Sequence, residues 1–302
     1  MIKVLANDGI EKSAEEALKA KGFEVDTNHY DGDDLIAKLR ETDAIVIRSA
    51  TKLTEPIFQG VEGGKLKLAI RAGVGIDNID IPAGQKVGVT VTNTPAASSD
   101  SVAELALAHM FAIARHIHIA NVTMRAGEWN KSAYGGVELA GKTLGLVGFG
   151  RIARSLAKKA QALGMTIVYT DIIGAGAGME GCTFMSLEEV LKNSDFLSLH
   201  IPFDKKVGAT IGKAQFALMK DGSFLVNCAR GGVVDEAALI EALDSGKLAA
   251  AGVDVFEKEP TNNTALVNHP KVSVTPHIGA STKEAQKRIG SEVVEIISSF
   301  AF

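Results

Sequence analysis

Cysteine is scarce in this chain. Cys182 and Cys228 are the only two, and they form neither a metal-ligand spacing nor a disulfide framework. A disulfide-built secreted scaffold is thereby excluded, and a reducing, cytoplasmic location is expected. Positive charge is not in excess: 32 Lys and Arg stand against 36 Asp and Glu, for a net charge of −4. No general attraction to nucleic acid or to anionic membranes follows from that balance. Any anion the protein binds must be held by a local cluster of donors. No apolar stretch reaches the length needed to span a bilayer. The opening MIKVLANDG is too short for a signal peptide and reads as a first strand. Low-complexity tracts and short-period repeats are also absent. Neither nucleic acid nor membrane is expected as a partner.

What is present is an ordinary enzyme-like composition, 46% hydrophobic and 23% charged over 302 residues, enough for two domains. Short β-branched runs alternate with amphipathic stretches. Strands are expected at Ile2 to Leu5, Phe23 to Val25, Ala44 to Ile47, Leu68 to Ile70 and Val89 to Thr92. Helices are expected at Lys12 to Lys21, closed by Gly22, and at Asp33 to Arg40. A second series begins after Gly141. Its strands are expected near Leu144 to Val147, Ile167 to Tyr169, Phe196 to Leu199, Phe224 to Asn227, Ala250 to Val253 and Val272 to Val274. Helices start near Arg151, Leu187, Lys213 and Asp235, and Ser281 to Phe300 reads as a final amphipathic helix. This alternation predicts an α/β protein of two Rossmann-like or flavodoxin-like parallel sheets with helices on both faces. Between the series, Ser101 to Met124 lacks Gly and Pro, is apolar on most of its circumference, and reads as one long helix covered on both sides. A subunit interface would supply the second cover, so a homodimer is predicted.

TLGLVGFGRIARSLA carries Gly-x-Gly-x-x-Ala at Gly148, Gly150 and Ala153, directly after a predicted strand and opening a predicted helix. Gly148 permits the tight turn, Gly150 lets backbone approach a pyrophosphate, and Ala153 keeps helix and strand close. The helix N-terminus adds free N–H groups and partial positive charge. TIVYTD then ends at Asp171, about 20 residues on, where a carboxylate accepts hydrogen bonds from the ribose hydroxyls of NAD. Like charges ~4 Å apart cost about 4 kcal/mol at an effective dielectric of ~20. That disfavours the 2′-phosphate of NADP. The bland alternative is a structural glycine turn with a surface Asp.

Arg230, Glu259 and His277 sit at predicted strand ends of the second series, where such folds bind ligands. Oxidation of a C–OH needs a base for the hydroxyl proton, and imidazole titrates in the right range. A carboxylate would hold the ring, and an Arg would pair with a substrate carboxylate and polarise the C2 oxygen. Singly, each has another reading: Glu259 a solvated loop charge, Arg230 a helix cap or partner of Asp235, His277 a satisfied structural histidine.

The chain resembles the D-isomer-specific 2-hydroxyacid dehydrogenases over essentially its whole length. The motifs are RAGVGIDNID (71–80), GKTLGLVGFGRIA (141–153), VNCARGGVVDEAAL (226–239), AGVDVFEKEP (251–260) and TPHIGAST (275–282). The resemblance implies NAD as cofactor and Arg230, Glu259 and His277 as catalytic residues, with His277 the acid/base. It implies cofactor contacts from Val74, Gly148, Gly150, Arg151, Ile152, Asp171, Ile201, Cys228, Ala229, Arg230, Asp254, His277, Gly279 and Ala280. Val74 stands where relatives often carry a Thr. It also implies a discontinuous substrate-binding domain, 1–95 with 282–302, and an NAD-binding domain, 96–281, with the active site in the cleft between them. A dimer contact is implied on the 101–124 helix and near Trp129, where Lys131 would add charge.

The substrate-binding residues expected are Arg48, Ser49, Ala72, Gly73, Val74, Asn78, Arg230 and His277. RAGVGIDN would offer backbone N–H groups near Ala72 to Val74 to a carboxylate, with Asn78 close by. Arg48, Ser49 and Lys52 in IVIRSATKLT form either an ordinary surface loop or a phosphate cradle. That loop is similar to its counterpart in the phosphoglycerate dehydrogenases of the family, so 3-phosphoglycerate, oxidised to 3-phosphohydroxypyruvate, is the expected substrate. The alternatives are glyoxylate or hydroxypyruvate reduction, D-lactate or erythronate-4-phosphate oxidation, and a non-catalytic NAD-sensing adaptor. A chain ending soon after its last helix is expected to lack serine feedback through a C-terminal regulatory domain. His109, His116 and His118 invite a metal site. Because His116 and His118 lie two apart on a helix they cannot share a face, so all three read as interface or surface residues and no metal is expected.

Overall fold

Alternate residues of each strand enter opposite cores, as the two-residue period of a β-strand dictates. In the first unit Leu5, Ile45, Ile47 and Ala69 face one side, and Val4, Ala44, Val46 and Leu68 the other. The structure, a computed structural model, describes the backbone of residues 1–302 and the side chains of all but 176 and 177. It divides into Met1–Ser98 with Ala280–Phe302, and Ser99–Gly279.

In the first unit, β1 (Lys3–Ala6), α1 (Lys12–Ala20), β2 (Glu24–Asp26), α2 (Gly32–Arg40), β3 (Ala44–Ile47), α3 (Glu55–Gly60), β4 (Leu68–Arg71), α4 (Ile81–Lys86) and β5 (Thr90–Asn93) alternate. The five strands are parallel in the order β2-β1-β3-β4-β5, the flavodoxin-like order. The C-terminal helix returns to this unit and sends Ile289, Val293 and Ile297 into the core beside Leu18 of α1. Sequence periodicity does not show α3 and α4, each six residues long. Their signals are a proline in the first turn of each and, for α4, the Asp80 carboxylate accepting from the Ala83 N–H at 3.0 Å.

The second unit runs α5 (Ser99–Ala114), α6 (Ile117–Arg125), β6 (Thr143–Val147), α7 (Arg151–Ala162), β7 (Thr166–Thr170), β8 (Cys182–Phe184), α8 (Leu187–Asn193), β9 (Phe196–Leu199), α9 (Lys213–Leu218), β10 (Ser223–Asn227), α10 (Glu236–Asp244), β11 (Leu248–Val253), α11 (Thr264–Val267) and β12 (Val272–Val274). The C-terminal helix is α12 (Lys283–Ser299). Its seven parallel strands are ordered β12-β11-β10-β9-β6-β7-β8, a Rossmann order with an added edge strand. Both units are thus parallel α/β sheets, as the alternation predicts.

The single long helix expected over 101–124 is corrected to two. His116 adopts φ 55, in the left-handed region, and the chain restarts as α6. A distant segment caps the first helix: the Val137 N–H donates at 2.9 Å to the Ala114 carbonyl, the acceptor left open where α5 ends. α5 is covered within its own unit, packing on α7, β10 and β11. Among the described residues no helix is long and apolar enough to cross a membrane.

Candidate active site

The chain turns at Gly148 with φ 86. A Cβ there would lie 2.6 Å from the His200 carbonyl oxygen and 2.8 Å from Ile201 Cγ2, so the loops after β6 and β9 meet only because this residue is glycine. β7 lies on one side of β6 and β9 on the other, which makes this the switch point where open parallel sheets bind ligands. Gly150 caps α7, and a Cβ built on it meets nothing within 4 Å. Arg151 and Ile152 open that 12-residue helix, and Ala153, its third residue, is buried on the face turned to the sheet. Asp171, just past β7, accepts from the Phe149 N–H at 2.6 Å and from the Ile173 N–H at 3.1 Å. The carboxylate is thus fastened to the glycine turn, and each oxygen keeps a second lone pair for a hydroxyl. An open cradle, a helix N-terminus and an anchored acid fit a dinucleotide with an unphosphorylated ribose.

His277 follows β12 and Glu259 follows β11, and the fold brings their side chains together. The Nδ1 of His277 lies 2.7 Å from Glu259 Oε2. Each side chain is 35% exposed, so a reactant can reach the ring. Burial alone would raise the Glu259 pKa. The hydrogen bond and charge of His277, the Phe256 N–H and the Arg230 guanidinium outweigh it and hold the carboxyl below its ordinary range. His277 has φ 52, a backbone state that costs a side-chain-bearing residue of order 1–3 kcal/mol. Asp254, buried at 1% exposure, holds it there. Its carbonyl accepts from the His277 N–H at 2.8 Å. Its carboxylate accepts from the Ile278 N–H, the Gly279 N–H and the Thr275 hydroxyl at 2.9, 2.9 and 2.6 Å.

Arg230 follows β10 on a loop that Asn227 organises, its amide oxygen accepting from the Ala229 N–H and its Nδ2 donating to the Arg230 carbonyl, both at 3.1 Å. The Arg230 Nη1 donates to the Ala229 carbonyl at 2.6 Å. Gly231 lets this loop touch the next, since a Cβ there would lie 1.7 Å from the Phe256 carbonyl oxygen. Cys228 is buried, and burial first, then Asp254, pushes its thiol well above the ordinary value. It stays a protonated, unreactive thiol.

Val74 and Ala280 lie in the first unit, as do the substrate-binding positions expected before the second series. Asp8, just past β1, accepts from the Arg48 N–H at 2.6 Å, the Thr51 N–H at 3.1 Å and the Thr51 hydroxyl at 2.6 Å. The exposed side chains of Arg48, Ser49 and Lys52 ride on this clamped loop. Arg48 lines two cavities of about 320 and 510 Å³, with Asp8, Glu11 and Gln286 in the first and Lys283 and Lys287 in the second. Two expectations change. The Asn78 amide nitrogen donates to the Arg48 and Thr51 carbonyls, both at 2.7 Å, so its donors hold the loop. The Ala72 N–H donates to the Ile47 carbonyl at 2.8 Å and the Gly73 N–H to the Arg71 carbonyl at 2.9 Å, so these two of the backbone donors expected over Ala72 to Val74 are committed to the sheet edge and a tight turn.

His109 is corrected from an interface or surface position to one buried within its own unit, 3% exposed. His116 and His118 meet the carbonyls of Gly135 and Pro270 at 3.2 and 3.1 Å. Among the described residues no group of three or more His, Cys, Asp or Glu could hold a metal. The sequence reading missed the loop clamps Asp8, Asn227 and Thr275. Their one visible signal is a polar residue at the end of an apolar strand or just past it.

Residues 107–279 match the family model described as D-isomer specific 2-hydroxyacid dehydrogenase, NAD binding domain. The chain is 46% identical to the hydroxypyruvate reductase of Thermotoga maritima over 98% of its own length and 97% of that protein. It is 43% identical to the D-3-phosphoglycerate dehydrogenase of Bacillus subtilis, of which it spans 57%. The crystal structure of D-lactate dehydrogenase from Aquifex aeolicus, complexed with NAD and lactic acid, superposes with a TM-score of 0.85 at 31% identity, covering 99% of this chain and 95% of that one. The chain therefore belongs to the D-isomer specific 2-hydroxyacid dehydrogenases, a family of NAD-dependent oxidoreductases.

Proposed function

We propose that the protein oxidises D-3-phosphoglycerate to 3-phosphohydroxypyruvate, as the entry step of serine synthesis. His277 is the acid/base, Glu259 its partner, and Arg230 the holder of the substrate carboxylate. The observation that carries this reading is the 2.7 Å contact between His277 Nδ1 and Glu259. A carboxylate on Nδ1 keeps the proton there, and the Nε2 lone pair is left to accept the proton of the substrate hydroxyl. As that proton leaves, the C2–H bond breaks and C2 becomes a carbonyl. Glu259, ionised at neutral pH, stabilises the imidazolium that forms. Arg230 polarises the C2 oxygen and pairs with the carboxylate. NAD, when bound, supplies the hydride acceptor. The residues that would hold it are Gly148, Gly150, Arg151, Ile152 and Asp171, with Ile201, Cys228, Ala229, Asp254 and Gly279 on neighbouring loops and Val74 and Ala280 from the first unit.

In this reading 1–95 with 282–302 binds substrate and 96–281 binds NAD. Arg48 and Ser49 meet the phosphate, and Val74 helps place the carboxylate. The Asp8 clamp supports that role for Arg48 by fixing the backbone from which it reaches the cavities. The identity to hydroxypyruvate reductase favours a second reading, reduction of hydroxypyruvate by the same residues run in reverse. A homodimer through α6 and Trp129 is supported by exposed Ile117, Val122, Met124 and Trp129. A cytoplasmic location is supported by two unpaired thiols.

A substrate panel on wild type and Arg48→Ala tests the substrate. Loss confined to 3-phosphoglycerate and 3-phosphohydroxypyruvate supports the phosphate reading. Equal loss on hydroxypyruvate assigns Arg48 to the fold and favours the reductase.

A further inference from the structure

His109 lies on α5, outside every motif that carries the chemistry, yet both ring nitrogens are engaged. Nδ1 lies 3.0 Å from Ser273 Oγ, and Nε2 lies 3.0 Å from Thr275 Oγ1. The Thr275 hydroxyl in turn donates to Asp254 Oδ1 at 2.6 Å. Direction follows from the ends of the chain. The Asp254 carboxylate accepts, so the Thr275 hydroxyl gives it its one proton and must accept from His109 Nε2–H. Nδ1 is then left to accept from the Ser273 hydroxyl. This pattern needs a neutral ring, and burial pushes the His109 pKa down against the opposing pull of Asp254. The backbone makes room for the ring: a Cβ on Gly252 would lie 2.6 Å from His109 Cβ.

We propose that His109 is a positioning residue for the reaction: through Thr275 and Asp254 it fixes the 275–279 loop that aims His277 at Glu259. The inference rests on His277 being the acid/base. Asp254 holds three groups of that loop at once, the Thr275 hydroxyl and the Ile278 and Gly279 N–H groups. Without the His109 donor, the Thr275 hydroxyl is free to rotate away from Asp254, and the left-handed backbone at His277 loses part of its support. Misplacing a reacting group by ~1 Å costs on the order of a hundredfold in rate.

The test uses the full chain with NAD and 3-phosphoglycerate, or NADH and hydroxypyruvate. His109→Leu and Thr275→Val are each expected to lower kcat roughly tenfold to a hundredfold, with KM and the dissociation constant for NAD moving far less than kcat. The double variant is expected to lose no more than the worse single one, because both cut one chain. Thr275→Ser and His109→Gln, which keep a hydroxyl or a donor and an acceptor, are expected to restore most of the rate. Full kcat in His109→Leu, or losses that multiply in the double variant, overturn the inference. Turnover surviving in His277→Asn overturns the acid/base reading itself, so the two failures are distinct. If His109→Leu does not fold, Thr275→Val against Thr275→Ser decides: equal rates overturn the wiring, and a Val-only loss supports it.

Discussion

In the five-stranded unit, Asp8 gathers the Arg48 and Thr51 N–H groups and the Thr51 hydroxyl. In the seven-stranded unit, Asp254 gathers the Ile278 and Gly279 N–H groups and the Thr275 hydroxyl. The device is the same: an acid just past a parallel strand satisfies two amides and a threonine of a neighbouring loop. The side chain presented differs. Asp8 delivers an arginine whose side chain lines open cavities. Asp254 delivers an imidazole already bonded to a second carboxylate. One clamp places a fixed charge, and the other places a group whose proton is controlled. Loss of the first should therefore show in binding, and loss of the second in turnover.

The largest effect is expected at the tip of the second clamp. His277→Asn should lower kcat by about 10²–10⁴ while fluorescence titration shows NAD still binding. An equal fall in kcat for Arg48→Ala would erase the contrast. Next come the clamps themselves. Asp254→Asn should lower kcat roughly tenfold to a hundredfold. Asp8→Asn should raise KM for the phosphorylated acid roughly tenfold and leave kcat in place. Steady-state kinetics on both variants checks the split, and a kcat effect at Asp8 would break it.

Acid should also separate the units. Burial pushes His200, bonded to Ser198 Oγ at 3.0 Å, down to about 4. A histidine with a depressed folded pKa binds its proton more readily once unfolded. The stability it contributes is present above about 6.5 and is lost as pH falls toward 4. Burial shifts His109 in the same direction. In the first unit the exposed Glu11 is lowered by its hydrogen bonds from Ser13, and the partly buried depressed group is Asp26: burial would raise it, but Lys38, the Asn28 N–H and the Tyr30 hydroxyl hold it at about 2. Its contribution is lost only between 3.8 and about 2. Hydrogen exchange followed from pH 7 to 4.5 should show the second unit opening first, and His200→Gln should flatten that dependence. The smallest effect belongs to Asp26→Asn. Its pair with Lys38, 2.6 Å apart, is partly solvated, and a thermal melt at neutral pH should show a loss of about 1 kcal/mol or less.

The glycine turn was legible because its chemistry is local: Gly148, Gly150, Ala153 and Asp171 stand at offsets that backbone geometry dictates. Arg230, Glu259 and His277 were legible as polar residues past strands, but nothing in the stretch that separates Glu259 from His277, 18 positions apart, shows that the two side chains meet. His109 was misjudged because an apolar helix face reads the same whether it covers a sheet or a partner. The break at His116 was missed because the segment that caps α5 there, through the Val137 N–H on the Ala114 carbonyl, is 23 residues away.

By itself, the sequence determined two parallel sheets and a dinucleotide turn. Strand period, helix caps and glycine conformations act within a few residues and need no distant partner. The tertiary structure alone decided how Glu259 meets the His277 ring, which acid clamps which loop, and that His109 lies beneath them. These depend on strands distant in sequence lying side by side in one sheet, where a hydrogen bond a fraction of an ångström too long is no bond at all.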